Sequence, residues 1–94
     1  MSTAEDRRWF AAVASLESCV LCNRWGVQVA HSNQLRGLGQ KAAAHNTAAL
    51  CLDCHSEIDN GSKLNQEERR ALMNRAIVLT HDALVKRRIL RLSA

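Results

Sequence analysis

Two Cys-x2-Cys pairs, Cys19/Cys22 and Cys51/Cys54, carry the clearest chemistry in the chain. In each pair the spacing lets both sulfurs turn toward one point, and two such knuckles supply the four thiolates of a tetrahedral Zn²⁺ site. A redox pair would come as a single Cys-x-x-Cys in a thioredoxin-like setting, so the duplication favours metal. A site filled by four thiolates leaves no position for water, which makes this zinc structural. Residues 23–50 separate the knuckles, more than the roughly 15–20 residues of a plain four-cysteine ribbon. The insert contains His31 and Asn46, and His55 follows the last cysteine directly. Asp59 lies four residues beyond His55; on a helix the two share one face, where an imidazole and a carboxylate can hold one ion.

These residues need elements to position them. Ser2-Thr3-Ala4-Glu5 reads as a capping box that opens a helix to about Leu16, with Trp9, Val13 and Leu16 as its apolar face. After the first knuckle Gly26 permits a turn, and residues 27–30 alternate as a short strand that His31 ends. Residues 47–52 form a second strand that leads through the second knuckle into a brief helix, with Gly61 as its C′ residue. Asn65 caps a long helix with Leu72, Ala76, Leu79 and Ala83 at helical spacing, continuing to about Arg91. Lys86, Arg87, Arg88 and Arg91 put cations at the negative end of its dipole, and could also touch a nucleic-acid backbone. His45 reads as a loop histidine and His81 as a structural one on the long helix.

Residues 32–41, which follow the first strand, carry Gly37, Gly39, Arg36 and Lys41. That is loop chemistry suited either to a solvated surface or to a phosphate contact by Arg36 and Lys41. It is neither a Walker nor a dinucleotide-binding motif.

At 94 residues the chain makes one domain. A core of this size is modest, so a structural metal is a natural source of stability. Thirteen Lys plus Arg against nine Asp plus Glu give a formal charge of +4, an excess that attracts polyanions. With only Trp9, Trp25 and Phe10 as aromatics, a base-stacking platform for single strands is disfavoured. Absence of a signal-like or bilayer-length apolar segment leads to the expectation of a cytoplasmic protein with no membrane partner.

Asn46-Thr-Ala-Ala-Leu50-Cys51-Leu-Asp-Cys54-His55 resembles the C-terminal half of a zinc-supported HNH endonuclease motif, and Val27-Gln-Val-Ala-His31 resembles the strand bearing its first histidine. The resemblance covers about residues 15–61 and extends to the YbcO-like group of small phage and prophage proteins. It implies an α+β fold in which a zinc-stabilised ββα-metal core over 18–61 is flanked by an N-terminal helix over 1–17 and a C-terminal helical segment over 62–94.

The resemblance further implies hydrolysis of DNA phosphodiester bonds, leaving 5′-phosphate and 3′-hydroxyl ends. In those roles His31 is the general base, Asn46 fixes the loop that orients it, and His55 holds a catalytic Mg²⁺ or similar ion. Many relatives carry a metal-binding Asp immediately before the first histidine, whereas this chain has Ala30. Asp59 is the candidate replacement, because hard divalent ions favour carboxylate oxygen; the alternative is a local hydrogen-bond acceptor. Two further readings compete: a non-catalytic zinc-ribbon-like module that binds nucleic acid or protein, and a thiol redox protein. Sequence preference and oligomeric state are not encoded in any recognisable residue pattern.

Overall fold

In the computed structural model, which describes residues 3–31 and 45–87, everything is built around one short hairpin. Strand β1, Gln28–His31, pairs antiparallel with β2, Thr47–Leu50, in the register Gln28↔Leu50, Val29↔Ala49, Ala30↔Ala48 and His31↔Thr47. A two-stranded ribbon is marginal alone. Here both faces are covered, and every residue of β2 is buried.

Helix α1, Ala4–Ala14, covers one face. Val13 and Leu16 pack there with Ala49, Val29 and the partly buried Trp9, as the apolar spacing requires. The Trp9 indole Nε1–H donates to the buried Thr47 hydroxyl at 2.9 Å, so the helix is also pinned by a directional bond. Its cap is Thr3 with Asp6, each side chain bonding the other's backbone N–H, rather than Ser2 with Glu5. Both quartets have the capping-box pattern, and the one that forms starts one residue later.

The other face meets α2, Leu52–Asn60, and α3, Gln66–Lys86. Ala30, Ala48 and Leu50 pack there with Met73, Ala76 and Ile77. Helix α3 opens on Asn65, whose side chain accepts from the Glu68 N–H while Glu68 caps in return. Its buried positions are Met73, Ala76, Ile77, Thr80 and Leu84, whereas Leu72, Leu79 and Ala83 are only partly buried. The apolar stripe is thus rotated from the expected one. Its inner side is narrow at Ala76 and Thr80, which lets the helix approach the alanines of β2.

That approach covers the outer edge of β2 at Ala49. The Ala49 N–H donates to Thr80 Oγ1 at 3.2 Å, and the Ala49 carbonyl accepts from the Val20 N–H at 3.1 Å. Both outward backbone groups of Ala49 are therefore satisfied, which blocks the edge of β2 at that position.

Three boundaries differ from expectation. Strand β2 stops at Leu50 because Cys51, at φ −68° and ψ 165°, serves as the N-cap of α2. Helix α3 ends at Lys86 with Arg87 as its cap; Arg88 and Arg91 lie outside the described residues. Gly61 caps α2 in an extended conformation, φ −67°, not the left-handed one. A Cβ on Gly61 would fall 2.3 Å from the Glu57 carbonyl oxygen, so close approach demands glycine there. Among the described residues no helix is long and apolar enough to cross a membrane.

Candidate metal centre and the His55 face

The first knuckle is a tight turn closed by two backbone bonds, Cys19 N–H to the Arg24 carbonyl and Asn23 N–H to the Cys19 carbonyl, both 2.8 Å. Asn23 takes φ +67°, a left-handed position that Asn tolerates better than most residues, and Gly26 at φ +96° starts the chain toward β1. The second knuckle is the first turn of α2. Cys51 Sγ accepts from the Cys54 N–H.

All four sulfurs, those of Cys19, Cys22, Cys51 and Cys54, lie within 4.8 Å of one another. Cys22 and Cys51 Sγ are 3.5 Å apart. In a tetrahedral site with Zn–S bonds of about 2.3 Å, sulfurs stand about 3.8 Å apart, so this cluster has the size for one Zn²⁺. Among the described residues it is the only grouping of three or more His, Cys, Asp or Glu side chains with that geometry.

The thiols differ in acidity. Burial pushes Cys19 up, but backbone N–H groups at Cys51, Cys22 and Leu21 outweigh it and bring the thiol down to about 7. Burial and hydrogen bonds to the neighbouring sulfurs push Cys54 up. Cys22 also rises: the Arg24 backbone N–H favours its thiolate, but its sulfur contacts with Cys51 and Cys19 win. Across the outer surface, Arg24 and Asp53 form an ion pair between the two knuckles; both are exposed, so the pair adds little stability.

A second group of polar side chains lies on the hairpin face that meets α2. His55 Nε2 is 3.0 Å from Asp59 Oδ2 one turn along, and His55 Nδ1 is 2.8 Å from Gln28 Oε1 on β1. Arg69 of α3 reaches the same turn, its Nη1 donating to the Asp59 carbonyl at 3.4 Å. Strand alternation puts Gln28 with Ala30 on this face and Val29 with His31 on the other. The exposed His31 ring accordingly rests edge-on against Phe10 of α1, centroids 5.3 Å apart.

The structure therefore brings together His55 and Asp59 and sets His31 across the hairpin from them. Asn46 precedes Thr47, the register partner of His31, and its Nδ2 is buried with no hydrogen-bond partner among the described residues. Arg36 and Lys41 lie outside the described residues. His45 is an exposed turn residue whose carbonyl meets His81 Nε2 at 2.8 Å, and the His81 ring also packs edge-on against Trp9. Gln28 is the polar residue that sequence reasoning passed over. Its only signal is that it lies two positions before Ala30 and so shares that residue's face.

Comparison with protein-family models, curated proteins and solved structures returned no match.

Proposed function

We propose that this chain is a metal-dependent endonuclease of the HNH type that hydrolyses DNA phosphodiester bonds, of the kind phages and prophages carry. The observation that carries the reading is the His55–Asp59 pair, 3.0 Å between Nε2 and Oδ2, on the helix that leaves the second cysteine knuckle. Neighbouring ligands of an octahedral ion bound at about 2.1 Å stand about 3.0 Å apart, so the pair has the bite of a divalent site. The order hairpin, knuckle, helix supports the ββα-metal assignment.

In this reading His55 and Asp59 hold Mg²⁺ or a similar ion, with Asp59 supplying the carboxylate that Ala30 lacks. The ion, when bound, stabilises charge gathering on the phosphate and the departing oxygen. His31, the base expected from the resemblance, stands on the opposite face of the hairpin with its exposed ring against Phe10, so in this geometry it does not share an attacking water with an ion held by His55 and Asp59. Asn46, beside the strand partner of His31, steadies that end of the hairpin. The cysteine-bound zinc keeps the hairpin and α2 in fixed relation, and Arg36 and Lys41 serve as phosphate contacts.

A second reading draws on a specific observation. Ala30, where a carboxylate ligand would face α2, is 1% exposed and packed among apolar side chains. A zinc-ribbon-like module that binds nucleic acid or protein without cutting would tolerate that.

Nicking of supercoiled plasmid in Mg²⁺ or Mn²⁺ separates the two. The nuclease reading expects nicking that EDTA abolishes and that His55→Ala and Asp59→Ala lose while retaining zinc. Binding of DNA with no cleavage under either ion would replace it with the second reading.

A further inference from the structure

We propose that Gln28 is a positioning residue for a divalent ion at His55: its side-chain amide decides which imidazole nitrogen is free to ligate. The inference rests on the ion-binding part of the function proposed above and goes beyond it to a residue with no assigned role.

An imidazole that binds a metal through one nitrogen must carry its proton on the other, and a hydrogen-bond acceptor at the second nitrogen fixes that choice. At His55 the geometry is already that of such a pair. Gln28 Oε1 stands 2.8 Å from Nδ1, and Asp59 Oδ2 stands 3.0 Å from Nε2. With the amide oxygen toward the ring, Nδ1 keeps its proton and Nε2 is left with a lone pair on the Asp59 side, where an ion beside the pair could take both as neighbouring ligands. Reversing the amide presents its NH₂ group to Nδ1, which forces the proton onto Nε2, where Asp59 accepts it. The same three side chains thus have an ion-accepting arrangement, with Nε2 bare, and ion-free ones, with Nε2 protonated; a ring protonated at both nitrogens donates to Gln28 and Asp59 as they stand. They differ only in the proton on the ring and the direction of one amide.

The location favours a positioning role over a merely structural one. Gln28 is exposed, and its own backbone is held by the register with Leu50 whatever its side chain does. Being on a paired strand, it holds the imidazole from a rigid element. The bond also runs from β1 to α2, so the hairpin and the helix carrying both proposed ligands are tied at the site itself.

The test compares Gln28→Leu, which removes the acceptor, and Gln28→Glu, which can only accept, with the wild-type protein. All three are loaded with zinc at the cysteines. Calorimetric titration with Co²⁺ reads affinity, and ¹⁵N NMR of His55 with a diamagnetic second equivalent of Zn²⁺ reads which nitrogen is ligated. We expect Gln28→Leu to weaken Co²⁺ binding by about 10- to 100-fold, the usual cost of losing such a partner. Gln28→Glu should bind at least as tightly as wild type, and wild-type His55 should show Nδ1–H with Nε2 ligated. Unchanged affinity in Gln28→Leu, or ligation through Nδ1 in wild type, overturns the proposal, as does a wild-type protein that binds no Co²⁺ beyond the cysteine site. If Gln28-dependent binding holds but no DNA is cut, this inference stands and the nuclease reading fails; if DNA is cut but Gln28→Leu binds Co²⁺ normally, only this inference fails.

Discussion

Stripping the metal from the four cysteines should dismantle the hairpin and α2 while leaving part of α3 helical. A domain of 94 residues has a net stability of about 5–15 kcal/mol. A structural zinc site contributes about 10–16 kcal/mol at neutral pH, as much as or more than the whole. The knuckles themselves hold the sheet: Val20 N–H closes the Ala49 carbonyl at the edge of β2, and Cys51 is both a member of the four-cysteine cluster and the N-cap of α2. Helix α3, with 21 residues and its own capping box, is long enough to keep some helix alone. The assay is titration with a tight chelator, followed by far-UV circular dichroism and tryptophan fluorescence. Trp9 reports, because its indole is bonded to buried Thr47; Trp25 is 78% exposed and should give a nearly constant background. The emission should shift to the red in step with zinc release and reverse on adding zinc back. A chelated protein with unchanged fluorescence and melting temperature would refute the reasoning.

Other perturbations test separate parts of the structure. Thr80→Val keeps side-chain volume but leaves the buried Ala49 N–H without its acceptor, a loss of about 1–3 kcal/mol. Thermal melting should register it as a Tm lower by roughly 4–8 °C for each kcal/mol in a domain this small. Gly61→Ala forces a Cβ to within 2.3 Å of the Glu57 carbonyl oxygen, so the last turn of α2 must shift at a cost of about 1–3 kcal/mol, with zinc content unchanged. Loading zinc into metal-free protein at pH 7 should release at least two protons, those of Cys22 and Cys54, whose pKa values are raised; calorimetry in buffers of different ionisation enthalpy counts them. Zinc affinity should correspondingly rise with pH, since thiolates and not thiols ligate; a flat profile between pH 6 and about 8 would contradict this.

Local chemistry was legible in the sequence, and the choice among similar local options was not. The knuckles, the Gly26 turn, the Asn65 cap and the His55–Asp59 pairing each follow from residue types a few positions apart. The start of α1 was ambiguous because Ser2/Glu5 and Thr3/Asp6 satisfy the same capping rule. The buried face of α3 was misjudged for a different reason. Its apolar stripe is wide, and which edge goes inward depends on the small residues Ala48 and Ala49 across from it. Thr80 looks polar in isolation and is fully buried because β2 supplies an unpaired N–H at that point. Gln28 was invisible for the same kind of reason, since its contact with His55 depends on which face of β1 the second knuckle covers. Spacing alone likewise could not tell that His31 and His55 lie on opposite faces of the hairpin.

The measurement that tests the central claim most directly is substitution of the metal-free protein with Co²⁺, read by visible absorption. The first equivalent should give the intense thiolate charge-transfer and d–d bands of a tetrahedral four-sulfur site. A second, weaker equivalent should add only the faint absorption of an octahedral nitrogen–oxygen site, lost in His55→Ala and Asp59→Ala. A first equivalent without thiolate bands would contradict the cysteine centre. A second equivalent insensitive to both variants would contradict the His55–Asp59 site and the function built on it.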